Sequence, residues 1–268
     1  MIMKKVALAL GSGGVRGLAH IGVIKTLVKN NIPIDFIAGT SIGALIGGLY
    51  AAFKNTSQIE ELLNQFSYRD FITIFANIDF RAKGLIKGDR AIQFLKEKVG
   101  NIKIEELQIP FKAVATDINT GEVIVFEKGN LIEAIRASGS VPIVFRPMNF
   151  KGRYLVDGGI SMPVPVPIVK EMGAELTIAV SLDAIYVFDK KIQQNIEKIN
   201  AYTVAVKSIN LLRYYLAKEN IKGADVVISP EVKNGSWLNF VHGQEIIKIG
   251  EEACLKALPS IKEKLNLQ

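Results

Sequence analysis

Short apolar runs recur along the chain, separated by stretches with helical periodicity. This alternation restricts the fold more than any other feature. The runs are Val6–Leu10, Phe36–Ala38, Phe111–Ala115, Val123–Phe126, Leu176–Val180 and Val226–Ile228. Each is too short for an ordinary helix and reads as a buried strand. After the first run, Leu18, Ile21, Ile24 and Val28 fall at spacings of three and four, as an amphipathic helix requires. Strands alternating with helices predict an α/β fold: three α/β/α layers around a mostly parallel central sheet.

The chain has 268 residues, 49% of them hydrophobic, enough to bury a large core. No repeat or low-complexity linker divides it, so a single domain is expected over residues 1–268. Two stretches read less like core. Residues 55–100 mix Phe66, Tyr68, Phe71, Phe75 and Phe80 with charges, and residues 183–220 are rich in Lys, Asn and Ile. Either can be a cap over a site or ordinary helical cover of the sheet.

The net charge of +7 favours anionic partners, including the surface of an anionic membrane. The lysines are scattered, however, which equally describes a basic soluble surface, and no nucleic-acid partner is indicated. Cys254 is the sole cysteine, which excludes an intrachain disulfide and a cysteine-based zinc cluster. The N-terminal apolar run is too short for a signal peptide. A cytoplasmic protein is expected, with peripheral membrane contact as an extension of that reading. Phe36 to Phe53 carries no charge, but its glycines suit a strand, a turn and a buried helix better than a membrane span.

Chemistry concentrates in two glycine-rich stretches. Gly39-Thr40-Ser41-Ile42-Gly43 matches G-x-S-x-G between a strand candidate and the helix candidate Ala44–Phe53. That is the context of a nucleophile elbow, where a sharp strand-to-helix turn presents a serine. A nucleophilic serine also needs oxyanion donors and a base. Gly11-Ser12-Gly13-Gly14-Val15-Arg16-Gly17 ends a strand and opens a helix, so successive N–H groups there can converge on a negative oxygen. Arg16 can orient this loop or meet a substrate phosphate. Nucleotide binding fits worse: a dinucleotide fingerprint from Gly11 demands glycine at Arg16, and no P-loop Gly-Lys-Ser or Gly-Lys-Thr follows.

The base is ambiguous from residue types alone. The chain has two histidines, His20 and His242. His20 lies one helical turn beyond Arg16 and is expected to pack beside the loop. Ser41, then Asp157 or Asp225, then His242 satisfies the chain order of an α/β-hydrolase triad. Asp157, followed by Gly158 and Gly159, can instead present a carboxylate directly to the serine, or can simply form an Asp-Gly turn.

Taken together, "GSGGVRGLAHIGVI", "GTSIGALIGGLYA" and "VDGGI" resemble the patatin-like phospholipase family in its bacterial branch. "ASGSVPIVFRP" and "MGAELTIAVSL" agree in the same order. The resemblance implies a histidine-free dyad, with Ser41 as nucleophile and Asp157 as base. It implies an oxyanion hole from the amides around Gly13, Gly14, Val15 and Arg16, and hydrolysis of lipid or acyl esters through an acyl-serine. It implies no metal or organic cofactor. Ser12 stands where the loop's first glycine is expected. A triad using His242, or a low-activity lipid-binding or regulatory protein on the same fold, are the competing expectations.

Overall fold

The computed structural model describes residues 4–65, 89–183, 201–232 and 243–267. Strand β1 (Val6–Leu10) leads through a 3₁₀ turn at Gly14–Leu18 into α1 (Ala19–Lys29). Then come β2 (Phe36–Thr40), α2 (Ile42–Phe53), α3 (Thr56–Gln65) and α4 (Asp89–Val99). The middle of the chain holds β3 (Phe111–Asp117), β4 (Val123–Phe126), α5 (Leu131–Ser138), β5 (Met148–Phe150) and β6 (Arg153–Asp157). It closes with α6 (Val166–Glu171), β7 (Leu176–Val180), α7 (Ala201–Asn220), β8 (Val226–Ile228) and α8 (Gly243–Leu265).

The strands form one sheet in the order β5-β6-β3-β2-β1-β7-β8, with β4 also paired to β3. From β3 to β8 the neighbours run parallel, and β4, β5 and β6 are antiparallel. The α/β expectation with a mostly parallel sheet is therefore met. The two faces of β1 show how the layers form. Val6, Leu8 and Leu10 join a core built with α1, α2, α5 and α8, while Ala7 and Ala9 face α6 and Ala217 of α7. Successive strand residues point to opposite faces, so one five-residue run serves both layers.

The uncharged stretch from Phe36 is a strand, a turn and a twelve-residue helix. Among the described residues no helix is long and apolar enough to cross a membrane. Helix α1 differs from its predicted face in one position: Val28 is exposed, and Leu27 closes the face begun by Ile21 and Ile24. Short strand β5 carried no clear apolar run, because its residues are partly exposed at the sheet's edge. In the first cap candidate, α3 buries Ile59 and Leu62 and α4 buries Leu95 and Val99, while in the second, α7 buries Ala217. The aromatics Phe66 to Phe80 lie outside the described residues.

The register along β3 sets up the site. Strand β2 pairs with β3 up to Thr40, opposite Val114. Strand β4 occupies the other edge of β3, from Ala113 to Thr116. Strand β6 pairs with Ala115, Thr116 and Asp117, so it shares the edge used by β2. Its last residue, Asp157, lies opposite Ala115. The two strands thus approach from opposite directions and end at adjacent positions of β3.

Candidate active site

Ser41 occupies the turn between β2 and α2 at φ 57 and ψ −121. A non-glycine residue with positive φ is strained, as a nucleophile elbow expects. Its backbone N–H donates to Ser138 Oγ at 2.7 Å. Gly43, in the first turn of α2, has no room for a Cβ because the carbonyls of Leu10 and Gly11 press against it. That close approach draws the helix N-terminus beside the glycine-rich loop. Gly39 lies in β2 directly beneath the same turn.

Asp157 ends β6, and its Oδ2 accepts a 2.5 Å hydrogen bond from Ser41 Oγ. Its Oδ1 accepts from the Gly159 N–H at 2.7 Å. Its own N–H donates to the Ser140 carbonyl at 3.0 Å, and Thr116 Oγ1 donates to its carbonyl at 3.1 Å. Ser138 and Ser140, both in "ASGSVPIVFRP", therefore brace the serine and the aspartate together. Burial pushes the Asp157 carboxyl above its ordinary value, while Arg213, Ser41 and the Gly159 N–H pull back toward the charged form. A carboxylate of raised basicity accepts a hydroxyl proton more readily. Gly158 opens a short 3₁₀ turn against the Val114 carbonyl, and Gly159 follows within it.

The loop after β1 is held from both sides. Gly11 N–H donates to the Val180 carbonyl and Ser12 N–H to the Pro163 carbonyl. Gly13 precedes the 3₁₀ turn, which begins with Gly14, Val15 and Arg16. Gly14 has φ 59, a left-handed conformation. The first N–H groups of such a turn have no intrahelical acceptor, so they are free to meet an anion. The Arg16 guanidinium fastens this loop: it donates to the carbonyls of Gly13 (3.2 Å) and Leu182 (2.7 Å) and to Asp183 Oδ1 (2.6 Å). Orientation of the loop, not reach toward a substrate, is what its contacts serve.

The histidines fall as follows. His20 Nε2 lies 2.8 Å from the Gly11 carbonyl, so this nitrogen carries the proton and donates. Burial lowers His20 to about 4, leaving it neutral and bound to the loop backbone. His242 lies outside the described residues. Asp225 accepts from the Thr177 N–H at 2.7 Å and precedes β8, at the sheet end opposite Ser41. It is therefore removed from the triad considered for Ser41.

Two charged residues at the site were missed in the sequence. Asp183 follows β7, and Arg213 comes from the inward face of α7. Arg213 Nη2 donates to Asp183 Oδ2 at 2.5 Å and to Ser12 Oγ at 2.8 Å. Ser12 in turn donates to Asp183 Oδ2 at 2.7 Å. Burial alone raises Asp183, but Arg213 and then Arg16 hold it below its ordinary value. Arg213 stands alone as a charge on a helix face shared with Ala217. That is a usable signal, but only once the helix's inward direction is known.

The fold defines the class: a mostly parallel α/β sheet with its candidate site where the parallel strands end. The patatin-like phospholipase model matches residues 8–170. The chain belongs to the patatin-like phospholipase family. It is 42% identical over 181 residues to an uncharacterized NTE family protein of Mycobacterium tuberculosis, covering 67% of this chain and 49% of that one. It is 29% identical over 271 residues to the lysophospholipase NTE1 of Meyerozyma guilliermondii, covering 92% of this chain and 19% of that one. It thus spans about half the length of the mycobacterial relative and far less of the yeast one. Among solved structures, VipD from Legionella pneumophila superposes with a TM-score of 0.60 at 16% identity, over 96% of this chain and 67% of VipD. That likeness concerns the fold.

Proposed function

We propose that this chain is a serine hydrolase of lipid carboxylic esters, of phospholipase A, lysophospholipase or esterase type. Ser41 is the nucleophile and Asp157 the general base. The observation that carries this reading is the direct Ser41 Oγ to Asp157 Oδ2 hydrogen bond, with no imidazole between them. Ser41 attacks the ester carbonyl carbon as its proton passes to Asp157. The oxyanion is held by amides in the Gly13, Gly14, Val15 and Arg16 turn, where the helix end adds favourable potential. Collapse expels the alcohol, which takes the proton from Asp157. Asp157 then deprotonates a water that attacks the acyl-serine, and the proton returns to Ser41 as the fatty acid leaves.

Family membership and the lysophospholipase name of the yeast relative support a lipid substrate. Peripheral contact with an anionic bilayer is part of the proposal. Helix α7 exposes Val204, Leu211, Leu212 and Tyr215, and the chain carries a net charge of +7. The whole chain, 1–268, acts as one hydrolase domain in this account.

The test pairs a lipid panel with active-site labelling. Phospholipid, lysophospholipid, monoacylglycerol and short-chain ester hydrolysis are compared, and a fluorophosphonate adduct is mapped by mass spectrometry. An adduct on Ser41, lost together with turnover in Ser41→Ala, is expected. A folded protein that neither labels nor hydrolyses any of these esters would favour a lipid-binding or regulatory role instead.

A further inference from the structure

Arg213 is a charged side chain only 17% exposed, carried by a helix otherwise distant in sequence from both glycine-rich stretches. Its Nη2 is committed to Asp183 and Ser12. Its Nε lies 3.2 Å from the point where a Cβ on Gly159 would stand, and Asp157 Oδ1 lies 2.8 Å from that same point. The guanidinium and the Asp157 carboxylate therefore flank one glycine, within the range where opposite charges act on each other. A buried ion pair is weak evidence of a stabilising role, since apolar residues of similar volume hold a helix equally well. Its position beside the reacting carboxylate calls for another explanation.

We propose that Arg213 is a positioning residue for the Ser41–Asp157 pair: anchored by Asp183, it favours the charged carboxylate and fastens the glycine-rich loop through Ser12. This rests on the hydrolase reading above. Around Asp157, Arg213 comes from α7, and Asp183 follows β7 with Arg16 bound to its other oxygen. His20 on α1 is neutral, and Arg136 on α5 is engaged with Ser140 at 2.6 Å. Asp117, further along β3, has Arg153 at 3.8 Å. Arg213 and Asp183 thus act on Asp157 with opposite sign: the cation favours its charged form and the anion opposes it. Gly159 is required because any side chain there would part the two charges.

The pair's opposite signs make the test specific. The pH profile of kcat/KM on a chromogenic short-chain ester is measured for wild type, Arg213→Gln, Arg213→Lys and Asp183→Asn, with thermal unfolding as the fold control. Wild-type activity rises with pH as Asp157 loses its proton. In Arg213→Gln that rise moves up by about one pH unit or more, and in Arg213→Lys by less. In Asp183→Asn, where the amide oxygen and Ser12 Oγ still accept from Arg213 but the negative charge is gone, it moves down. A uniform loss of rate in Arg213→Gln, with the rise unmoved, would overturn the proposal. So would shifts in the same direction for Arg213→Gln and Asp183→Asn. If the glutamine variant does not fold, Arg213→Met takes its place as the charge-removing variant, and an unmoved rise there overturns the proposal equally. Absence of wild-type hydrolysis at every pH defeats the hydrolase reading itself, a result distinct from an unshifted profile.

Discussion

Ser41 Oγ donates to Asp157 Oδ2 across 2.5 Å, although 116 positions separate the two residues in the chain. The contact is a product of sheet register. β2 and β6 run toward each other along one edge of β3 and stop opposite Val114 and Ala115. The turn after β2 lifts the serine, and the end of β6 delivers the carboxylate to it. Ser138 Oγ, which accepts the Ser41 N–H, and the Ser140 carbonyl, which accepts the Asp157 N–H, then fix both ends.

The turn at Ser41 stores backbone strain, which gives a stability prediction independent of activity. At φ 57 an alanine keeps the strain and a glycine relieves it. Both Ser41→Ala and Ser41→Gly lose the hydroxyl, so their difference isolates the backbone. Ser41→Gly is expected to be about 1 kcal/mol more stable than Ser41→Ala in denaturant unfolding. Equal stabilities would contradict a strained elbow.

His20 makes the protein sensitive to acid. Its value is lowered to about 4 from the ordinary 6.5, so the folded state resists protonation. The unfolded chain takes up the proton first, and stability present above pH 6.5 is lost as pH falls toward 4. The loss amounts to about 3 kcal/mol. His20→Gln keeps an N–H for the Gly11 carbonyl but does not titrate. Its unfolding free energy should therefore fall less than wild type's between pH 6.5 and 4.5. Parallel curves for the two proteins would show that His20 is not buried in its neutral form.

Gly159 sits where three polar groups meet. A Cβ there would stand 2.8 Å from Asp157 Oδ1, 3.1 Å from Ser12 Oγ and 3.2 Å from Arg213 Nε. Gly159→Ala is expected to lower kcat about 100-fold, because small misplacements of reacting groups are costly. KM should change little. Steady-state kinetics on a soluble ester checks this, and a wild-type kcat would show that the three groups tolerate displacement.

Ser138 supports the elbow from below. Its Oγ accepts the Ser41 N–H at 2.7 Å in a buried setting. Ser138→Ala leaves that donor unpaired, which costs about 1–3 kcal/mol of stability. Chemical denaturation measures the loss, and an unchanged midpoint with unchanged slope would show that another acceptor takes over.

The sequence made much of this arrangement legible. Apolar runs located β1 and β7 because fully buried strands leave little room for polar residues, and they located β4 and β8 although these two are only partly buried. G-x-S-x-G and the loop before it were readable because tight turns at helix starts demand small residues at fixed offsets. What stayed hidden depends on register and direction. That Asp157 meets Ser41 follows from which edge of β3 receives β6, and residue types do not encode that. Asp157 was for the same reason open between a turn and a base. Arg213 and Asp183 were hidden because a lone charge on a helix, or after a strand, gives no hint of its partner.

The central claim is that Asp157 serves Ser41 without a histidine, and kcat/KM for Asp157→Asn and His242→Ala tests it most directly. On a chromogenic short-chain ester, with folding verified by thermal unfolding, Asp157→Asn is expected to lose about 1,000-fold or more. His242→Ala should stay within about threefold of wild type, because no step passes through an imidazole. Loss of activity in folded His242→Ala comparable to that in Asp157→Asn would contradict the dyad and restore a triad.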